Sequence, residues 1–179
     1  MVDRVIHILG ASGSGTTTLG KYISNRLGYF FMDTDDYFWM PTNPPYTIKR
    51  DIAQRLVLMK NDIAKWKKVV IAGSLVDWGD ELIPLFTLVI RMETEAKVRI
   101  ERLKKREEER FGKRIEPGGD MHEHHQEFIR WASAYDNGGL NMRSKAKHDE
   151  WQKLLLCPLI RLDGSDSLEH NFKIVQRYL

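Results

Sequence analysis

The sequence predicts an α/β fold, a parallel sheet with helices on both faces. Two observations carry this. The run Gly10-Ala11-Ser12-Gly13-Ser14-Gly15-Thr16-Thr17-Thr18 stands between an apolar, strand-like segment and a helical pattern. Beyond it, four more short apolar runs alternate with segments of helical period. Alternation of that kind builds a parallel sheet. Ligands of such sheets bind at the carboxyl ends of the strands, and the loops of chemical interest fall at those ends.

Residues 4–9 read as the first strand, apolar enough to be buried on both faces. Residues 16–27 read as a helix, with Leu19, Tyr22, Ile23 and Leu27 at helical spacing and Gly28 as its stop. Residues 29–32 are the second strand, running into Asp33-Thr34-Asp35-Asp36. The stretch 37–46 holds Pro41, Pro44 and Pro45 among Tyr37, Phe38, Trp39 and Tyr46. That composition forbids regular structure and suits a loop, either facing a ligand or packed on the core. A helix over about 49–66 carries Ile52, Leu56, Met59, Ile63 and Trp66 as a core stripe. Strands follow at 69–72 and 85–92, the first of them leading into Gly73-Ser74. From 93 to about 110 a charged helix turns Ala96, Ile100 and Leu103 inward. The pattern breaks over 110–120, around Pro117-Gly118-Gly119, and returns as helix over 121–135. Asn137-Gly138-Gly139 interrupts it, and 145–154 is helical again. Residues 159–162 form the fifth strand, Asp163-Gly164-Ser165 the turn after it, and Leu168, Phe172, Val175 and Leu179 the last helix. No repeat, low-complexity tract or linker divides the chain, so residues 1–179 are expected to form one domain.

Composition narrows the classes of function. A chain of 179 residues, 42% hydrophobic, can bury one core of ordinary size. A net charge of +3 suits a small anionic ligand. It is too weak and dispersed for a nucleic-acid partner. The single Cys157 excludes an internal disulfide framework and fits a reducing compartment. No leader-like segment and no run of 18 apolar residues is present, so a cytoplasmic protein without a membrane partner is expected. Nothing in the sequence speaks to oligomeric state.

The glycine-rich run is a phosphate-binding loop. Gly10, Gly13 and Gly15 lack a Cβ, which lets backbone N–H groups turn toward an anion. The helix beginning at Thr16 adds free N–H donors and the positive end of its dipole. Gly10, Ala11, Ser12, Gly13, Ser14, Gly15, Thr16, Thr17 and Thr18 are therefore the expected nucleotide-binding residues. The usual pattern is G-x-x-x-x-G-K-[ST]. Thr17 falls where the Mg²⁺-binding hydroxyl belongs, but Thr16 stands in place of the lysine that reaches the β- and γ-phosphates. Lys21 lies one turn beyond Thr17 and faces away. Another cation has to take over that charge.

Asp33 and Asp35 end the second strand. Phosphoryl transfer to a hydroxyl needs a group that positions the acceptor and takes its proton, and oxygen ligands for Mg²⁺. Asp35 is expected at the acceptor hydroxyl and Asp33 at the metal. Arg102, Arg106, Arg110 and Arg114 recur every four residues, with Arg99 and Lys113 near them. Glu107, Glu108 and Glu109 interleave, so a salt-bridged surface accounts for most of these positions. The charge that spreads over the γ-phosphoryl oxygens nonetheless calls for arginine. Arg110 and Arg114, nearest the Pro-Gly-Gly break, are the expected catalytic pair on a hinged lid. His122 and His125 share a helix face suited to a metal, but a third ligand at fixed spacing is absent. Trp131, Tyr135, Asn141, Arg143 and His148 make this region rich in recognition side chains, with no legible target.

Residues 10–35, including Leu19-Gly20-Lys21, Leu27-Gly28 and Phe31-Met32-Asp33-Thr34-Asp35, resemble shikimate kinase and gluconate kinase. The order of elements resembles the P-loop small-molecule and nucleotide kinases as a whole, adenylate kinase-like proteins included. The Asp-Gly-Phe-Pro-Arg sequence of that last group is replaced here by Ala72-Gly73-Ser74-Leu75-Val76-Asp77. The resemblance implies a P-loop NTPase three-layer sandwich, sheet order 2-3-1-4-5, with a substrate-binding region at about 37–67 and a helical lid at about 106–122. It implies ATP and Mg²⁺ as cofactors, Thr17 and Asp33 at the metal, and Asp35, Gly73 and Ser74 at the substrate. It also places Asp163-Gly164-Ser165 near the adenine. The expected activity is transfer of the γ-phosphoryl of ATP to a small hydroxylated metabolite or a nucleotide. A nucleotide-binding regulatory module with little or no turnover is the alternative, motivated by Thr16.

Overall fold

The computed structural model describes residues 3–179; Met1 and Val2, which open the expected domain, lie outside them. Strands β1 (Arg4–Gly10), β2 (Phe30–Asp33), β3 (Lys68–Ala72), β4 (Leu88–Glu93) and β5 (Leu159–Asp163) form one sheet. All neighbouring pairs are parallel, and the order is β2-β3-β1-β4-β5. This is the order implied by the kinase resemblance.

β1 lies at the centre, with Ile6 in register with Val70 on one side and Leu88 on the other. Its side chains alternate between two cores. Ile6 and Ile8 pack with Leu19 and Ile23 of α1 (Thr16–Leu27) and with Phe172 and Val175 of α7 (Leu168–Gln176). Val5 and Leu9 face the opposite layer, formed by Leu56, Met59 and Ile63 of α3 (Ile52–Trp66) and Trp151 of α6 (Lys145–Trp151). Each fully buried side chain of this kind contributes roughly 1.5–3 kcal/mol by leaving water. The phosphate-binding loop thus hangs from the most firmly held strand.

Several boundaries differ from expectation for local reasons. A short helix α2 (Thr34–Phe38) follows β2, where the sequence suggested a turn and then an irregular loop. Asp33 creates it, because its carboxylate caps the Asp35 N–H. α3 begins only at Ile52, since Asp51 caps it by accepting from the N–H groups of Ala53 and Gln54. Its stripe narrows to Leu56, Met59 and Ile63. Ile52 and Trp66 are exposed, although Trp66 stacks on Phe30 at 4.6 Å. β4 starts at Leu88, not 85, because Asp80–Leu85 closes into 3-10 turns. α4 (Ala96–Phe111) buries Arg99, Leu103, Glu107 and Phe111; Ala96 is exposed and Ile100 half-buried. It runs unbroken through the first residues of the expected lid. A 3-10 turn (Gly112–Ile115) and α5 (His122–Ser133) come next. No helix among the described residues is long and apolar enough to cross a membrane.

Candidate active site

Gly10 ends β1 and the loop turns directly into α1. Gly13 has φ of 80°, and a Cβ there would stand 2.6 Å from the Arg99 carbonyl oxygen. The loop is therefore pressed against the start of α4, a fit that only glycine allows. Gly15 caps α1 without any side-chain hydrogen bond. The first N–H groups of the helix thus keep their donors for an anion. Ser14 Oγ is buried without a partner, packed against Gly10.

The acidic end of β2 meets this loop. Thr17 Oγ1 donates to Asp33 Oδ2 at 3.3 Å, and Asp33 Oδ1 accepts the Asp35 N–H at 3.1 Å. One carboxylate thus ties the first turn of α1 to the first turn of α2. Asp35 opens to solvent but has protein on most sides. Burial and the neighbouring Asp33 push its carboxyl above the usual range, while Arg143 and Arg106 pull it back.

A cavity of about 390 Å³ opens beside the loop, lined by Gly15, Thr16, Thr17, Arg102, Arg106 and Gly164 among others. Arg102 donates to the carbonyls of Gly13 at 3.5 Å and Gly164 at 3.1 Å, clamping the loop after β5 to the phosphate-binding loop. The expected arginine pair stands elsewhere. Arg110 donates to Tyr46 Oη at 3.0 Å, and Arg114 is held by both oxygens of Asp120 at 2.9 and 2.7 Å. Neither lines the cavity. The correction has a geometric cause. α4 continues for a full turn beyond Arg106, so its cavity-facing arginines lie one and two turns earlier than the break suggested.

Gly73 and Ser74 leave β3 beside α2. Gly73 has φ of 121°, and a Cβ there would collide with Thr34 Oγ1. Gly73→Ala is expected to destabilise by about 1–3 kcal/mol, a fall of several degrees in Tm seen in thermal denaturation. An unchanged Tm would show that β3 and α2 can separate freely. Ser74 is buried and its Oγ lies 3.0 Å from His148 Nε2, while His148 Nδ1 lies 2.8 Å from Tyr135 Oη. Burial, with Arg143 and Arg91 facing it, lowers the His148 pKa to about 3. The ring is therefore a neutral hydrogen-bonding post. Arg91 of β4, itself buried, fixes this corner by donating to Asp149 Oδ1 at 2.6 Å and Gln152 Oε1 at 2.8 Å.

Arg143 completes the site from the segment between α5 and α6. It donates to Ser12 Oγ at 2.6 Å and lies over the Trp131 ring at 4.4 Å. Sequence reasoning noted Trp131, Tyr135, Arg143 and His148 without a role. The fold gathers all four around Ser12 and Ser74. His122 Nδ1 meets the Ile115 carbonyl at 2.8 Å, and His125 lies 3.9 Å from Glu107. No group of three or more potential ligands forms a metal site among the described residues.

Comparison with known proteins fits this geometry. A family model described as an AAA domain matches residues 6–129. The chain belongs to the AAA domain family. This AAA domain protein is also 39% identical over 178 residues to the uncharacterized protein YqaC of Bacillus subtilis, covering 99% of this chain and 98% of that one. A 42-residue stretch is 40% identical to shikimate kinase 2 of Photorhabdus laumondii, 24% of each chain. Among solved structures, shikimate kinase from Acinetobacter baumannii in complex with shikimate superposes with a TM-score of 0.54 at 15% identity, over 97% of this chain and 92% of that one. The AAA domain protein thus has the fold seen in shikimate kinase.

Proposed function

We propose that the protein is an ATP- and Mg²⁺-dependent phosphotransferase that moves the γ-phosphoryl group to a hydroxyl of a small metabolite or nucleotide. The observation that carries this is the Thr17–Asp33–Asp35 linkage, which places an oxygen-only donor pair and a second acid at the mouth of a phosphate-binding loop. A loop evolved only to hold a nucleotide has no use for that second acid.

The donor set suits the cofactors. Thr17 Oγ1 and Asp33 are hard oxygen donors of the kind Mg²⁺ takes, the carboxylate directly or through water. Bound there, Mg²⁺ supplies charge neutralisation and orientation of the phosphates. Residues 10–18 hold the phosphates through backbone N–H groups and the helix dipole. Arg102 and Arg106 face the same cavity and offset the charge of the transferring group. Asp35 accepts the proton of the acceptor hydroxyl as that oxygen bonds to the γ-phosphorus and the bond to the β–γ bridging oxygen breaks. Gly73 and Ser74 form the acceptor's far wall, and the aromatic segment within 37–67 its near one. The region at about 106–122 serves as the lid, and the single domain spans 1–179.

The test is Mg²⁺-dependent γ-phosphate loss from ATP, with and without a broad panel of hydroxylated metabolites and nucleoside monophosphates. Stimulation by one acceptor class supports the proposal and names the substrate. Tight nucleotide binding with no stimulation by any acceptor favours a regulatory module and overturns it.

A further inference from the structure

The charge that a lysine supplies in other phosphate-binding loops has no source at Thr16. Three guanidinium groups and one ammonium lie near enough to be weighed. Lys21 sits over the Phe31 ring at 5.7 Å and does not line the cavity beside the loop. Arg102 spends its donors on two carbonyls at the solvent-exposed rim. Arg106 is 46% exposed and lies 3.7 Å from Glu107. Arg143 differs from all of these. Its guanidinium is bonded to the loop itself, through Ser12 Oγ at 2.6 Å. Its face is held by Trp131. Its Nε is buried with no partner. It forms no ion pair within 4 Å among the described residues, and the charge of Asp35 acts on it from farther off.

A guanidinium that keeps one N–H out of water with no acceptor is costly. The cost falls when an anion meets that N–H, and the bond to Ser12 together with the pull of the Asp35 charge sets the guanidinium between the glycine loop and the acids after β2. Arginine is suited to this task because its fork can keep one bond to Ser12 while other N–H groups meet phosphoryl oxygens.

We propose that Arg143 replaces the missing loop lysine, reaching the terminal phosphates of the bound nucleotide from the segment between α5 and α6 with Ser12 as its tether. This rests on the phosphotransferase reading of the same site.

The test combines four full-length proteins: wild type, Arg143→Met, Thr16→Lys and the double variant. Affinity is measured for ADP and for a non-hydrolysable ATP analogue, each with Mg²⁺, beside acceptor-stimulated turnover. Arg143→Met is expected to weaken the triphosphate analogue at least tenfold and ADP less. Thr16→Lys is expected to restore affinity in the Arg143→Met background and to add little to wild type. Equal effects of Thr16→Lys in both backgrounds would mean independent sites, and would overturn the proposal. So would an Arg143→Met protein that binds the analogue as wild type does. Ser12→Ala, which removes only the tether, covers the case in which Arg143→Met fails to fold. It is expected to weaken the analogue several-fold, and unchanged affinity overturns the proposal. If wild type turns over while the Arg143 and Ser12 variants match it, this inference falls and the phosphotransferase reading stands. If wild type binds no nucleotide, both fall.

Discussion

The Asp35→Asn variant is expected to lose about 10²- to 10⁴-fold in acceptor-dependent turnover and to keep its affinity for Mg²⁺-nucleotide. The change is nearly isosteric, and the N–H of residue 35 still reaches Asp33, so the Thr17–Asp33 contact survives. What disappears is the group that takes the acceptor proton. The pH profile is a second readout. Burial and Asp33 raise the Asp35 carboxyl above its ordinary range. Activity that needs the ionised form therefore rises along a limb displaced upward in pH from an ordinary carboxylate. Turnover in Asp35→Asn equal to wild type would remove Asp35 from the chemistry. A large fall in nucleotide affinity would mean that it belongs to the metal site instead.

Two buried histidines set the second large effect, on acid stability. His7 lies on the central strand, stacked on Phe86 at 5.0 Å, with both ring nitrogens buried and unpartnered. Burial lowers its pKa from 6.5 to about 3, and the Ile71 backbone offsets only part of this. His148 is lowered to the same value. Both folded-state values lie below those of the unfolded chain. Between them the unfolded chain binds more protons, so this contribution is fully present above pH 6.5 and is lost as pH falls toward 3. Each histidine gives a slope of about 1.4 kcal/mol per pH unit, and the pair about twice that. Total stability of a domain is about 5–15 kcal/mol, so denaturation midpoints are expected to drop steeply from pH 6.5 to 5. Ordinary carboxylates have not yet begun to titrate over most of that range. His7→Phe is expected to halve the slope. The same slope in that variant would mean that His7 titrates freely in the folded protein.

The fold and the loop were legible because both rest on local chemistry. Glycines at 10, 13 and 15 after an apolar strand admit few conformations, and α1 falls on the residues its periodicity marks. Asp33 and Asp35 were legible as acids at a strand end. The N-cap by which Asp33 holds Asp35 was not, since a five-residue helix leaves no periodic trace. The arginine ladder of α4 showed its spacing but not its rotation about the helix axis. Contacts with Gly13 and Gly164 set that rotation, and both lie far away in sequence. Ser12–Arg143 and Ser74–His148 are beyond local reading altogether. A hydroxyl near the start of the chain and a cation near its end acquire meaning only when β1 and β3 are placed side by side.

The distance in sequence between Ser12 and Arg143 also has a consequence for biosynthesis. β1, the phosphate-binding loop, the acids of β2 and the serine after β3 are all synthesised before α4. Arg143 and His148 are made only after α5. A nascent chain that stops before α5 therefore carries every recognisable motif of the site, yet lacks the guanidinium and the imidazole that the later segment sets against Ser12 and Ser74. Synthesis of the segment after α5, not formation of the glycine loop, is the event that brings these pairs together.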